Sequence, residues 1–560
     1  GGAALAVTLW HVHLSRVGFR AGLLPLFTAL AVWQVAAAVK KEPWRQQRWH
    51  WIAAGACYAL AFYTYTAARF TVVAVGTLAL YAMAFHCAAL IRRWRGIALA
   101  SLAFLLTIAP LAAYTLTHAD VVLGRSEQVA IWSPAIHHGD FWGTLVAHTL
   151  RTLGMFFVRG DRIWRHNVPW QPIFDPALGL AFVAGAIAAL RRALRPARRD
   201  AAAACCLIWI GVMSLPTLLA EDAPHFLRAV GILPAVVLLP ALGLDWLARL
   251  IQRPVVRRTV LALVLLFSLS STAHAYFFRY ARDPMSGYWF ERGAETLAGR
   301  INAFLGHGWD GERMQHRRGE TEAAQVYLAR ELWDEWQPQL RFLLADPGSM
   351  MVGLAPVTDG PPASRVAVFT WPYEGWQQAW DLLPSPAQMT NGREITVEKG
   401  PLSQGDRDPE PFTTYLAFYA NPPGDLPPPL AHFSGGVELL DVIVTPVANS
   451  NGENHLRMRF RWRATAPLTA DYTIFVHYLR DGERIAQGDS RPAHAYFPTP
   501  LWRPGDVIND EHDMDEVAIP LPGHDLLRFG FWEASSGDKL YLLDEAGNPA
   551  GDWMEMPIEN

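Results

Sequence analysis

The sequence predicts a polytopic α-helical membrane protein: a transmembrane bundle over residues 1–278, then an exterior α/β domain over 279–420 and a β-sandwich over 431–560. Three observations carry this assignment. Long apolar runs are confined to the first half of the chain. The loops between them alternate between strongly and weakly basic. Beyond a proline-rich linker at 421–430, apolar residues recur with a period of two.

Composition agrees. A chain of 560 residues with 51% hydrophobic side chains and a positive mean hydropathy is too long for one domain and too apolar for a soluble enzyme. A net charge of −3 provides no basic field to attract nucleic acid. The four cysteines, Cys57, Cys87, Cys205 and Cys206, all lie in apolar runs without a CxxC spacing. That excludes a cysteine zinc signature and a disulfide framework, and predicts small core residues.

In chain order, Gly1-Gly2-Ala3-Ala4-Leu5 carries neither Met nor a basic leader, and the apolar stretch Ala3–Trp10 is too short to cross a bilayer, which takes about 20 residues. It reads as the tail of a helix whose beginning precedes this sequence. Eight apolar runs then have spanning character: Ala21–Val39, Trp51–Ala68, Phe70–Ile91, Gly96–Tyr114, Pro176–Leu190, Ala201–Ala220, Ala229–Ile251 and Thr259–Phe278. Their backbone groups have no water to bond in lipid, so each must be a helix. Basic loops are formed by Lys40, Lys41, Arg45 and Arg48; by Arg92, Arg93 and Arg95; by Arg191, Arg192, Arg195, Arg198 and Arg199; and by Arg253, Arg257 and Arg258. The positive-inside rule places these in the cytoplasm. The loops at 11–20, 66–69, 115–175 and 221–228, and everything after 278, are then expected outside a plasma membrane.

The 115–175 loop is long enough to be functional. His148–Val158 predicts an amphipathic helix in the interface, followed by the polar, aromatic stretch Arg159–Asn167. His137 and His138, adjacent in the same loop, read as solvated rather than metal-binding. Over 279–420, helices are expected at Glu291–Leu305 and Glu320–Trp336, and strands at Arg341–Ala345, Arg365–Trp371, Glu394–Glu398 and Thr413–Tyr419. Beyond the linker, Leu456, Met458, Phe460 and Trp462 alternate with Arg457, Arg459, Arg461 and Arg463. Tyr472, Ile474, Val476 and Tyr478 repeat the pattern, and strands near 437–444, 507–519 and 526–533 complete a sandwich. No carboxylate pair there has hydrolase spacing, which favours a structural role.

Three polar clusters stand at the ends of apolar runs on the same predicted face. They are His11, His13, Ser15, Arg16 and Arg20; Tyr63, Tyr65, Thr66 and Arg69; and Glu221, Asp222, His225 and Arg228. His11 and His13 diverge on a helix, whereas Arg16 and Arg20 would share a face and one anion. A guanidinium donates two parallel hydrogen bonds, which suits phosphate. Snorkelling to lipid headgroups is the competing role, but ionisable groups at a membrane edge are site candidates by default.

Four segments, Trp10–Arg20, Tyr63–Arg69, Gly160–Asn167 and Pro224–Ala229, together resemble bacterial GT-C fold glycosyltransferases of family 39, the protein-mannosyltransferase and aminoarabinose-transferase-like group. The resemblance covers about residues 1–278. It implies transfer of a sugar from a polyprenyl-phosphate carrier to an acceptor (protein, lipid or glycan) on the outer face, with inversion at the anomeric carbon. The family's catalytic Asp lies in a first exterior loop that would precede this sequence, so no catalytic residue is expected here. Arg69, Arg228, His225, Tyr63, Tyr65, Arg16 and Arg20 are the candidate donor-binding residues. Asp161, Arg165, His166 and Asn167 are candidates for the acceptor side. No cofactor and no metal-ligating residue is assigned, and a divalent metal stays open. A lipid-linked-sugar flippase and a surface-anchored carbohydrate-binding protein are the alternatives.

Overall fold

The computed structural model describes residues 1–40, 43–118, 130–195, 200–316, 324–356, 363–405, 410–448, 454–514 and 524–558. Lys41, Arg198 and Arg199 of the basic loops lie outside them, as do residues 515–519 of an expected strand. The chain forms two compact units, Gly1–Trp289 and Phe290–Asn560.

The first unit is helical. Among the described residues, seven helices are long and apolar enough to cross a membrane: Arg20–Lys40, Thr66–Arg92, Trp94–Thr117, Pro176–Leu194, Ala201–Leu218, Val230–Ala248 and Pro254–Tyr280. The eighth expected span, Trp51–Ala68, differs. Its helix runs Trp44–Phe62 and takes Arg45, Arg48 and His50 into its first turns, so too little of it is apolar. Tyr63 ends it, and Thr66–Arg69 forms a 3-10 turn that leads into Phe70–Arg92. The amphipathic helix forms at Phe141–Gly154, starting earlier than expected because Asp140 caps it by accepting the Gly143 N–H. Residues 279–289 stay with this unit, and the Tyr280 hydroxyl donates to the Trp164 carbonyl.

Two helices of this unit touch backbone to backbone. A methyl group placed on Gly185 would collide with the Leu239 carbonyl oxygen, and one on Gly243 with the Ala181 carbonyl oxygen. Small residues allow such close crossings of apolar helices. The unit's core gathers Trp10, Leu14, Ala67, Ala68, Phe226 and Ala229, among others, from all three polar segments. Of the cysteines, Cys206 is buried, Cys57 and Cys205 are half-buried and Cys87 is exposed, so the expected core role holds fully for Cys206.

The second unit is rich in sheet. One sheet of 11 strands runs, edge to edge, Pro549–Gly551, Leu542–Leu543, Ala431–Phe433, Val437–Ala448, Asn454–Ala464, Asp506–Met514, Arg393–Lys399, Leu416–Asn421, Arg365–Thr370, Ala324–Leu328 and Met350–Val352. The linker at 421–430 therefore does not separate two sheets. Strand Arg393–Lys399 pairs in parallel with Asp506–Met514, and Arg393 forks onto buried Asp506 with both bonds at 2.8 Å. A composition boundary is visible in sequence, but this long-range complementarity is not. A second sheet, built on Tyr472–Arg480 and Asp525–Glu533, packs on the first through Phe460, Trp462, Phe529 and Phe531. Phe460 and Phe529 approach to 4.9 Å between ring centroids.

The alternation in Asn454–Ala464 is as expected. Leu456, Met458, Phe460 and Trp462 are buried, while Arg457, Arg461 and Arg463 pair with Asp513, Glu394 and Glu438. Two expectations fail. Residues 324–328 form a strand between two others rather than part of a helix at 320–336, because Val326 and Leu328 are wholly buried on the sheet. The helix begins instead at Arg330 and runs to Leu343, taking in the first three residues of the strand expected at 341–345.

Candidate functional site: a buried Asp–His–His cluster beside a basic cavity

The loop after the amphipathic helix folds back on itself. The Gly160 N–H donates to the Trp170 carbonyl at 3.1 Å, and the Trp170 N–H to the Asp161 carbonyl at 2.8 Å. Position 160 must be glycine, because a side chain would strike the Gln171 carbonyl and the Phe226 ring. Asn167 closes the loop, its amide donating to the carbonyls of Asp161 (3.1 Å) and Gln171 (2.7 Å).

This fold buries the Asp161 carboxylate, which is 1% exposed. Its Oδ1 accepts the Ile163 N–H at 2.9 Å. Its Oδ2 accepts the Phe226 N–H at 2.6 Å and the His166 Nδ1–H at 3.2 Å. The carboxylate thus joins the 160–167 segment to the 221–228 segment. His225 follows the cis Ala223–Pro224 bond, and its backbone N–H is held by Thr217 Oγ1 at 2.7 Å. Its ring lies over that of His166, centroids 4.5 Å apart. Burial first, then the neighbouring His166 and Arg228, hold His225 well below its ordinary 6.5, so the ring is neutral. Asp161, His166 and His225 each offer a ligand atom within 4.8 Å of the others. These donors could hold a metal ion, and none of the three is assigned as a metal ligand from sequence.

The Trp10–Arg20 segment supports the cluster from another side. Trp10 packs on Phe226 at 5.1 Å, and Phe19 meets the His166 ring edge-on at 5.7 Å. His13 is buried and donates from Nε2 to the Arg165 carbonyl at 3.1 Å. Burial dominates there too and lowers its pKa to about 4, against the opposing pull of the Arg165 carbonyl.

The predicted donor residues are less united. Arg228 does not present a free fork, since it donates to the Glu221 carbonyl (2.8 Å) and carboxylate (2.9 Å) within its own segment. Tyr63 turns its hydroxyl to the Thr107 carbonyl at 2.8 Å. Tyr65 packs against the core, and Arg69 is exposed. Arg16 and Arg20 do not share a helix face. Gly18, at φ 72°, ends the helix Leu9–Val17, and Arg20 opens a separate 3-10 turn. Arg16 instead lies over the Tyr276 ring at 5.2 Å, and Arg165 over Trp289 at 5.1 Å.

A different set of arginines gathers round a cavity of about 560 Å³, walled by Leu150, Arg151, Val158, Arg159, Arg162 and Trp170 with Asp222–Pro224. Arg159 stacks on Trp170 at 3.7 Å, and Arg162 reaches Asp222 at 3.4 Å. An apolar face leads towards it, since Trp142, Val146, Leu150, Leu153 and Phe157 are all exposed and recur at helical spacing. Sequence reasoning missed these arginines as a group. The spacing Arg151, Arg159, Arg162 is irregular until the loop folds, and only the Gly160 hairpin brings them to one wall.

Fold and site together define a helical unit of membrane type with a buried carboxylate–imidazole cluster and an adjoining cationic, apolar-edged cavity. Compared with known proteins, the chain matches no family model, no curated protein and no solved structure.

Proposed function

We propose that the protein is a multi-pass plasma-membrane glycosyltransferase of GT-C type, with residues 290–560 exterior, that takes its sugar from a polyprenyl-phosphate donor. One observation carries this: the cavity joins a wall of arginines to an exposed apolar helix face. That combination suits an amphiphile with an anionic head, the lipid chain lying along the apolar face and the phosphate meeting the guanidiniums. Gathering of the Trp10–Arg20, Gly160–Asn167 and Pro224–Ala229 segments around one cluster supports the same reading.

In the reaction, an acceptor hydroxyl attacks the anomeric carbon and the carbon–oxygen bond to phosphate breaks. The phosphate leaves with the electron pair, and a general base takes the hydroxyl proton. Arg151 and Arg159, which line the cavity, would stabilise the charge that develops on the leaving phosphate.

The test is donor binding to the chain in lipid nanodiscs, using a polyprenyl-phosphate sugar, the lipid phosphate without sugar, and the free sugar. The donor and the lipid phosphate should bind, and the free sugar should not. Binding of free sugar alone would make the protein a carbohydrate-binding one. Movement of donor across a proteoliposome bilayer without transfer would make it a flippase.

A further inference from the structure

The buried cluster bears on a second question, which does not depend on sugar transfer. We infer that Asp161, His166 and His225 form a binding site for one divalent transition-metal ion of the zinc class.

The geometry is close to what such an ion needs. Ligands 2.0–2.1 Å from a tetrahedral centre stand about 3.3 Å apart, and Asp161 Oδ2 and His166 Nδ1 stand 3.2 Å apart. The third ligand atom, from His225, lies within 4.8 Å of both. The donor set is chemically selective. Two imidazoles and one carboxylate suit zinc, cobalt or nickel, whereas magnesium and calcium want oxygen ligands. All three residues are buried, so an ion entering the site exchanges water for fixed donors.

The surroundings hold these ligands in place. Asp161 is fixed by the Ile163 and Phe226 N–H groups, the His225 backbone by Thr217, and the His166 ring by Phe19. Such outer contacts orient metal ligands and account for much of a site's affinity. A plain hydrogen-bonded Asp161–His166 pair would explain two of the residues. It leaves the second imidazole with a single long local bond, His225 Nδ1 accepting the Arg228 N–H at 3.4 Å. The same loop also buries the Asn167 Oδ1 with no donor among the described residues. A proton on His166 Nδ1 and a metal ion are alternative ways of satisfying this carboxylate–imidazole pair. Three protein ligands leave a further coordination position open.

The test uses the whole chain in detergent, carrying an affinity tag without histidine, stripped with chelator and given zinc or cobalt alone. About one zinc per chain should survive gel filtration, as expected for a three-ligand site. Cobalt should give the intense visible absorption of a four- or five-coordinate nitrogen–oxygen site. Zinc should raise the melting temperature of the wild type. Asp161→Ala and His225→Ala, still eluting as single species, should lose both the bound metal and the shift. Zinc retained by both variants would assign the ion to other histidines and overturn the inference. Should either variant fail to fold, the wild-type cobalt spectrum decides, since six-coordinate aqueous-type absorption or no retained metal refutes the site without any mutant.

Discussion

The two units bury charge in opposite ways. In the sheet-rich unit, buried carboxylates are matched by fixed partners: Asp506 by the Arg393 fork and Asp525 by Arg480 and the Tyr478 hydroxyl across neighbouring strands, Asp510 by His512 of its own strand and by the Ala493 N–H. Each such pairing completes the bonding of groups on that unit's own strands and turns. In the helical unit, Asp161 is matched by two backbone N–H groups and one imidazole, while a second imidazole waits alongside. Full pairing by fixed partners makes a structural element. Convergence of donors from separate segments, with capacity left over, makes a site.

The largest test of this contrast is Arg393→Ala. It leaves Asp506 buried without its cation and should cost about 3–5 kcal/mol, read as lost hydrogen-exchange protection in strands Arg393–Lys399 and Asp506–Met514. Replacing both partners with apolar residues of similar volume should restore most of that protection. Little loss in the single variant would erase the difference between the units.

Next in size, Arg151→Ala combined with Arg159→Ala should weaken lipid-phosphate binding by about 1.5–3 kcal/mol for each charge-assisted bond lost, tenfold or more. Melting should barely change, because both side chains are exposed. A large stability loss with unchanged binding would make these arginines structural like their counterparts in the sheets.

A smaller effect is expected from His512. Burial opposes its protonation, but Asp510, the Gly488 carbonyl and Asp489 outweigh burial and raise its pKa above 6.5. A group raised on folding contributes stability that is full below its unfolded pKa and is lost as pH rises through the folded one. Stability of the sheet unit should therefore decline from about pH 6.5 upwards, and His512→Asn should flatten that decline in a urea titration followed at several pH values.

The smallest change should come from Arg228→Ala. Its partner Glu221 is partly exposed, so the pair is worth about 1 kcal/mol at most. Donor binding should stay within twofold, about 0.4 kcal/mol. A collapse of donor binding would return Arg228 to the phosphate and count against the cavity at Arg151 and Arg159.

Periodicity carried most of what could be foreseen. Helices from the apolar runs and the inward row Leu456, Met458, Phe460 and Trp462 follow from spacing alone. What failed depended on partners distant in the chain. Ala324–Leu328 looks helical until strands on both sides of it in the sheet are known. Arg228 looks available for phosphate until the turn at Asp222–Pro224 brings Glu221 back to it. At the site, Asp161 and His166 stood within one stretch singled out in sequence and His225 in another, yet nothing in sequence says that a carboxylate of one accepts from the backbone of the other. A hint existed in the Asp-x4-His spacing, which is too common to stand alone.

The crossing at Gly185 and Gly243 has a bearing on that union. One of its helices, Pro176–Leu194, leaves the loop that carries Asp161 and His166, and the other, Val230–Ala248, leaves the segment that carries His225. Where helices meet through side chains, their separation can drift as residues swell or shrink. Here the spacer is the polypeptide itself, whose thickness no substitution can tune except by abolishing the contact. The crossing acts as a gauge block, setting the spacing of the two helices that lead away from the cluster, so that even a single methyl at either glycine should alter how the cluster's two halves meet without touching any member of it.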